Sequence, residues 1–203
     1  MTRTLLLIAG PSGSGKSRLT RLATADGSAV ALSLDDFYRD ADHPDLPTTD
    51  LGIPDWDDVR CWDLDLALAT LGRLLEHGEA DVPVYDISLS RRVGARRIEL
   101  GGAAVVVAEG IFAPQTLAAA REAGMPVEAV WLDRRRWANF VRRLARDLEE
   151  RRKAPSVLVR RGLALYRAEP ALRRAALDSG FAPAPMRRAL TMVSRRSAPS
   201  SAR

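Results

Sequence analysis

Gly10-Pro11-Ser12-Gly13-Ser14-Gly15-Lys16-Ser17 is the stretch that decides the fold of this chain. Its pattern, G-x-x-x-x-G-K-[S/T], is typical of a phosphate-binding loop (P-loop), whose glycines let successive backbone N–H groups point at phosphate oxygens. The side chain of Lys16 would span the β- and γ-phosphates of a nucleotide, and the hydroxyl of Ser17 would coordinate Mg²⁺. The candidate nucleotide-binding residues are therefore Gly10, Ser12, Gly13, Ser14, Gly15, Lys16 and Ser17.

The loop lies between a predicted strand and a predicted helix, which is the context that it requires. Residues 4–9 form a short apolar run typical of a strand buried on both faces, and helical spacing begins at Lys16. The pattern then predicts strands at 29–34, 103–108 and 126–132, and helices at 63–77, 114–123, 134–152 and 157–177. Alternating strands and helices predict an α/β fold with a mostly parallel sheet and right-handed crossovers.

Two further elements are predicted outside this alternation. Residues 82–100 read as a small hairpin with its turn near Gly94, and residues 186–193 read as a last short strand. The Ser/Ala/Arg-rich end, 194–203, is predicted to be a disordered tail.

The composition is that of one soluble domain. Of the 203 residues, 46% are apolar and 28% are charged, and no apolar run approaches the roughly 18 residues of a membrane span. Cys61 is the single cysteine, so no intrachain disulfide is possible, and we expect a cytoplasmic location. The net charge of +5 reflects arginines concentrated after residue 134. We interpret these arginines first as solvated helix faces, second as a lid over phosphates, and last as a nucleic-acid surface.

Polar segments directly follow three predicted strands, at 10–17, 35–38 and 109–112. Because the carboxyl ends of parallel strands share one edge of a sheet, we expect these segments to meet at one rim. A carboxylate after the second strand would face the γ-phosphate, where an incoming hydroxyl must lose its proton. Asp35 is the candidate for this base, and Asp36 is the alternative.

At this point the motifs resemble those of the uridine kinase and phosphoribulokinase family. Leu34-Asp35-Asp36-Phe37-Tyr38 is similar to the family's D-x-F-Y segment, which implies that Asp35 is the catalytic base and that Tyr38 lies on the acceptor side. Glu109-Gly110-Ile111 matches its E-G-I/V segment, which implies that Glu109 holds Mg²⁺ together with Ser17 and Asp35. The resemblance covers roughly residues 3–160, and it implies a five-stranded P-loop sheet of order 2-3-1-4-5 within a three-layer sandwich.

The acceptor side matches the family more loosely. The segment 56–63 resembles F-D-H-P-x-A-F-D, with His and Pro replaced by Asp58 and Val59, and implies that Asp57 binds sugar hydroxyls. A plain loop with buried tryptophans is the alternative for this segment. Asp42-His43-Pro44 keeps the letters D-H-P, but it lies too close to Tyr38 and lacks the flanking aromatic residues.

The predicted hairpin carries a second acceptor motif. Pro83-Val84-Tyr85-Asp86 resembles P-x-Y-D, which implies that Tyr85 stacks on a base or a sugar and that Arg92 contacts the substrate. Nucleoside kinases of this type read the pyrimidine with a histidine where this chain has Ser90. The acceptor is therefore left open by the sequence.

Residues 139–153 resemble the arginine-rich lid of the family, R-R-x-x-R-D-x-x-x-R-x-R. Arg143, Arg146 and Arg151 match arginines of that pattern, and Lys153 stands for the last one. The resemblance implies that Arg143 and Arg146 stabilise the transferring phosphoryl group and that Arg151 also binds ATP.

We therefore expect one kinase domain, 1–193, with an acceptor-binding insert near 35–100 and a helical lid near 134–155. It would use ATP and Mg²⁺ to phosphorylate a hydroxyl of a small molecule, first of all a nucleoside. Pantothenate, glycerate and sugar phosphates remain alternative acceptors, and Arg60, Arg91 or Arg92 would supply the cations that a phosphorylated acceptor needs. A regulatory or nucleic-acid-associated P-loop ATPase is the alternative outside kinases; the oligomeric state is left open.

Overall fold

The structure, a computed structural model, describes residues 3–49, 52–149 and 155–197. Within these ranges the strands are β1 (Thr4–Ala9), β2 (Ala29–Ser33), β3 (Glu79–Asp86), β4 (Arg91–Glu99), β5 (Val105–Glu109), β6 (Val127–Leu132) and β7 (Ala182–Ala184). The α-helices are α1 (Lys16–Ala23), α2 (Leu64–His77), α3 (Ala113–Glu122), α4 (Arg136–Glu149), α5 (Pro155–Asp178) and α6 (Met186–Ser197). Two short 3₁₀ turns, Leu34–Phe37 and Val59–Cys61, lie in the long connection after β2.

Five parallel strands form the central sheet, in the order β2-β5-β1-β6-β7. Numbered among themselves along the chain, these strands have the order 2-3-1-4-5, so the prediction is confirmed. The register places Glu109, the last residue of β5, opposite both Ile8 of β1 and Ser33 of β2. The segments that follow these three strands therefore begin at the same edge of the sheet.

Helices cover both faces of this sheet. On β1, Leu5 and Leu7 pack into a core with α2 and α3, whereas Leu6 and Ile8 pack into a second core with α1 and α6. Because neighbouring side chains of a strand point to opposite faces, a continuous apolar run is what a strand buried on both faces requires. The molecule is the three-layer sandwich that the sequence predicted.

Between β2 and β5 the chain forms a long insert. It contains α2 and a separate two-stranded antiparallel sheet, β3–β4. The predicted turn near Gly94 is wrong: Gly94 lies inside β4, and the turn occupies residues 87–90. The Asp86 carboxylate accepts hydrogen bonds from the backbone N–H groups of Ser88 and Leu89, and Ser90 adopts a left-handed φ of 49°.

The C-terminal region also differs from the prediction. Residues 186–193 belong to helix α6 rather than to a strand, because Met186, Ala189, Leu190 and Val193 recur at helical spacing and pack on the α1 side of the sheet. The last strand is instead Ala182–Ala184, which pairs with β6. The helix continues to Ser197, so the predicted tail is wrong for 194–197, and its remainder, 198–203, lies outside the described residues.

Candidate active site

The P-loop curls between β1 and α1 around its glycines. Gly13 and Gly15 have φ values of 85° and 96°, a left-handed conformation that residues with a Cβ rarely adopt. Gly15 is also the N-cap of α1, so no side chain satisfies the N–H groups at the start of this helix. The first turn of α1 contains no acidic residue, and its N-terminus therefore remains suited to an anion.

Lys16 and Ser17 connect the P-loop to the carboxylates of the rim. The ammonium of Lys16 donates to the carbonyl oxygen of Gly10 at 2.9 Å. Burial lowers the pKa of Lys16, and the negative charges of Glu109 and Asp35 oppose that shift. The hydroxyl of Ser17 donates to Oε1 of Glu109 at 2.9 Å. The structure thus brings together the first and third of the three predicted segments.

Asp35 joins this group from the end of β2. Its backbone N–H donates to Oγ of Ser33 at 3.2 Å, which starts the 3₁₀ turn and directs the chain across the rim. Gly110 is needed beside it: a Cβ at Gly110 would lie 2.6 Å from Cβ of Leu34 and 3.2 Å from Oδ1 of Asp35. The residue after Glu109 must therefore be small for the two carboxylates to meet.

The carboxyl of Asp35 has the electrostatic character of a base. Burial, followed by the negative charge of Glu109, raises the pKa of Asp35 to about 6, while the cation Lys16 counteracts the rise. A carboxylate with a pKa this high is ionised at neutral pH and is a stronger proton acceptor than an ordinary aspartate.

An aromatic cluster lies next to Asp35 on the acceptor side. The ring of Tyr38 contacts the rings of Trp56, Tyr85 and Phe112, with centroids 5.6–5.7 Å apart. The hydroxyl of Tyr38 donates to the carbonyl oxygen of Trp56 at 3.1 Å. Burial, with the charges of Asp35 and Asp57, raises the pKa of Tyr38. The side chains of Tyr38, Tyr85 and Asp57 thus lie close together, and Asp57 is exposed to solvent.

Arg92 does not present its guanidinium to this neighbourhood as the sequence implied. Its Nε donates to the carbonyl oxygen of Tyr38, and its Nη2 donates to the carbonyl oxygen of Phe37 and to Oδ2 of Asp63. These bonds hold the hairpin against the chain that follows the Asp35 turn. The contacts are structural, and substrate binding by Arg92 has no support in them.

The two lid arginines within the described residues have different surroundings. Arg146 is half-exposed, reaches Oγ of Ser12 at 3.4 Å and pairs with Asp147 at 2.9 Å. Arg143 is buried, and its guanidinium donates to the carbonyl oxygens of Ser12 and Gly162. Arg151 and Lys153 lie outside the described residues.

Sequence reasoning missed the supporting roles of Asp36, Arg96 and Trp62. Asp36 pairs with Arg96 of β4 at 3.2 Å and accepts a long hydrogen bond, 3.5 Å, from the backbone of Tyr85. Trp62 donates from Nε1 to the carbonyl oxygen of Leu34. Asp36 therefore connects the Asp35 turn to the hairpin. No local pattern in the sequence distinguishes these residues from ordinary surface or core positions.

Residues 5–159 match the model of the phosphoribulokinase / uridine kinase family. The chain belongs to this family. A uridine kinase of Deinococcus deserti is 32% identical over 163 residues, which cover 79% of this chain and 76% of the relative.

Solved structures share the fold of this phosphoribulokinase / uridine kinase family member at low sequence identity. A putative fructose transport system kinase from Silicibacter superposes with a TM-score of 0.60 at 18% identity and covers 91% of this chain and 90% of the other. A possible uridine kinase from Bacillus stearothermophilus has a TM-score of 0.50 at 19% identity, with 86% of each chain covered. In the part of the chain that the structure describes, no helix is long and apolar enough to cross a membrane.

The site of this family member fits Mg-ATP. The left-handed glycines and the uncapped start of α1 suit the phosphates, and Lys16 lies at the loop. Ser17 and Glu109 offer two oxygens to Mg²⁺, with Asp35 beside them. The described residues contain no cluster of three or more His, Cys, Asp or Glu that could enclose a metal ion. Magnesium in such sites takes one or two carboxylates and completes its shell with phosphates and water, so this sparse set is suitable.

Proposed function

We propose that the chain transfers the γ-phosphate of ATP to a hydroxyl group of a nucleoside or another ribose-like molecule, with Mg²⁺ bound. The observation that carries the proposal is the position of Asp35: its half-buried carboxylate, with a pKa of about 6, lies at the P-loop in the field of Lys16 and Glu109. A base in this place can accept the proton of an oxygen nucleophile, such as an acceptor hydroxyl, beside the terminal phosphate.

The proposed reaction is an in-line displacement. Asp35 accepts the proton of the acceptor hydroxyl, whose oxygen then attacks the γ-phosphorus while the bond to the β,γ-bridging oxygen breaks and ADP leaves. Lys16 and Arg146 stabilise the negative charge on the transferring group. Bound Mg²⁺, held by Ser17 and Glu109, would neutralise charge on the β- and γ-phosphates.

The charges around the acceptor side support an uncharged acceptor. A phosphorylated acceptor would need free cations there, yet Arg60 pairs with Asp58 at 2.8 Å and Arg92 is engaged with Asp63 and two carbonyl oxygens. Arg91 lies exposed at the start of β4 beside Asp86. Two of the three arginines that the sequence offered for a phosphate are therefore already paired with carboxylates.

The remaining groups on this side suit a nucleoside. Asp35 and Asp57 are acceptors for hydroxyl groups, and the rings of Tyr38, Trp56 and Tyr85 offer apolar faces to a flat base or a sugar. This combination disfavours sugar phosphates and the carboxylates of glycerate or pantothenate, which the acidic groups would repel. A reducing, cytoplasmic environment suits such a kinase with its single buried Cys61.

A coupled ADP-release screen over nucleosides, pantothenate, glycerate and sugars tests the proposal. We expect turnover with a nucleoside, abolished in Lys16→Ala and reduced roughly 10²–10⁴-fold in Asp35→Asn. Asp36→Asn is the matched control, because the neighbouring carboxylate binds Arg96 and should affect turnover much less. Turnover of another compound with inert uridine and cytidine would contradict the nucleoside assignment. ATP hydrolysis stimulated by polynucleotide and unaffected by Asp35→Asn would instead indicate a regulatory ATPase.

A further inference from the structure

Helices α4 and α5 meet through polar contacts rather than through an apolar stripe. On α4, three side chains at spacings of three and four residues, Arg136, Asn139 and Arg143, share one face. They contact Tyr166, Glu169 and Gly162 of α5. We call these six residues the polar seam. Asn139, Arg143 and Glu169 are all at most 5% exposed, so the seam lies inside the protein.

The first contact of the seam compensates for a proline inside α5. Pro170 has no N–H group and cannot donate to the carbonyl oxygen of Tyr166, four residues earlier. Arg136 supplies the missing donor: its Nη2 lies 2.5 Å from that oxygen, and its guanidinium stacks over the Tyr166 ring at 4.2 Å. Arg136 therefore satisfies the carbonyl oxygen that Pro170 leaves without a backbone donor.

The second contact is between two buried polar side chains. Nδ2 of Asn139 donates to Oε1 of Glu169 at 3.0 Å. Burial raises the pKa of Glu169, and the positive fields of Arg136 and Arg143 oppose that shift. The positive charges of the two arginines therefore compensate in part for the burial of the Glu169 carboxyl.

The third contact reaches the P-loop. Arg143 donates from Nη1 to the carbonyl oxygen of Ser12 at 3.2 Å and from Nη2 to that of Gly162 at 3.0 Å. The backbone of α4 also packs closely against Gly13, the next P-loop residue. A Cβ at Gly13 would lie 2.4 Å from the carbonyl oxygen of Asn139. The corner Ser12–Gly13 is thus held by a side chain and by a backbone of the same helix.

Arg146, one turn further along α4, contrasts with Arg143. Arg146 is half-exposed at Oγ of Ser12, and its charge acts on Lys16, so it is the arginine available to phosphates. Arg143 instead donates hydrogen bonds to two backbone carbonyl oxygens in the interior.

We propose that Arg143 is a positioning residue of the polar seam that fixes the Ser12–Gly13 corner for ATP binding without touching the phosphates. This proposal rests on the proposed use of ATP, but not on the identity of the acceptor. A guanidinium can bridge two carbonyl groups in one plane, whereas the ammonium of lysine is a single point of charge. Lysine should therefore replace Arg143 poorly if geometry matters, and well if only charge near the phosphates matters.

The test is the dissociation constant of Mg-ATP measured by calorimetry without any acceptor. We expect Arg143→Met and Arg143→Lys to weaken binding alike, by roughly tenfold or more, because a buried charged hydrogen bond to the loop is lost in both. The control is Arg142→Met, which removes an exposed arginine from the same helix and should leave binding unchanged. Wild-type affinity in Arg143→Lys would overturn the proposal, since charge alone would then suffice.

A second variant keeps the test valid if Arg143→Met does not fold. Glu169→Gln retains an acceptor for Asn139 and removes only the charge. We expect weaker Mg-ATP binding and faster amide hydrogen exchange in the peptide covering residues 10–15, with exchange in β1 unchanged. Unchanged exchange and affinity would overturn the proposal. Because no acceptor is present, a failed nucleoside screen would contradict the proposed function and leave this result standing.

Discussion

Replacing the candidate base Asp35 with its neutral isostere asparagine should make the free protein more stable while it strongly reduces turnover. In the folded protein the pKa of Asp35 is about 6, against an ordinary value of 3.8, so the fold disfavours the ionised carboxylate. The stability that protonated Asp35 contributes is complete below about pH 4 and is lost as the pH rises through 6. A difference of about 2 pH units corresponds to about 3 kcal/mol of the free energy of unfolding.

Asp35→Asn is uncharged at every pH and escapes this loss. At pH 7.5, without Mg²⁺ or nucleotide, we expect its free energy of unfolding to exceed that of the wild type by up to about 3 kcal/mol. For a chain of this length that is a rise in Tm of roughly 6–12 °C. The difference should nearly vanish near pH 4, where wild-type Asp35 is protonated in the folded state and only about half ionised in the unfolded state.

Thermal unfolding followed by circular dichroism between pH 4 and 8, with EDTA present, measures this difference. Asp57→Asn is the matched control: Asp57 is exposed, so its replacement should change stability by less than about 0.5 kcal/mol at any pH. An Asp35→Asn protein no more stable than the wild type at pH 7.5 would refute the reasoning. A gain that is equally large at pH 4 would refute it too, because the charge would not be its cause.

Three further perturbations test other parts of the site. The kcat/KM for the acceptor should rise tenfold per pH unit below pH 6 and level off above pH 6 as Asp35 ionises. A profile that is flat from pH 5 to 8 would contradict the assignment of Asp35 as the base. Gly13→Ala adds a Cβ at a residue with a φ of 85°, 2.4 Å from the carbonyl oxygen of Asn139. Calorimetry should therefore show ATP binding that is weakened at least tenfold, and wild-type affinity would contradict the close packing. Trp62→Ala removes a buried ring and its hydrogen bond to the carbonyl oxygen of Leu34 at the Asp35 turn. Urea denaturation should show that the free energy of unfolding falls by about 3–5 kcal/mol. A decrease below about 1 kcal/mol would mean that the turn does not depend on this ring.

The sheet and the rim could be predicted because their signals are local. Continuous apolar runs identify strands buried on both faces, and parallel strands direct their carboxyl ends to one edge. The strand Ala182–Ala184 could not be predicted, since two alanines and a proline carry no strand pattern. Gly94 misled the hairpin prediction because a glycine signals a turn, whereas the turn used here is built on the Asp86 carboxylate.

The candidate site was predictable in its residue types but not in where each side chain points. Sequence spacing placed Arg143 and Arg146 on one helix face, yet one guanidinium is bonded inside the protein and the other is half-exposed. Arg92 likewise binds backbone carbonyl oxygens that no motif encodes. Such assignments depend on contacts between residues 19–134 positions apart, which a local pattern cannot specify.

A structure of the protein with Mg²⁺ and a non-hydrolysable ATP analogue tests the central claim most directly. We expect the terminal phosphate between Lys16 and Asp35, with space for one alcohol oxygen between the phosphorus and the carboxylate. A terminal phosphate directed away from Asp35, or separated from it by protein atoms, would contradict the assignment of this rim as a kinase active site.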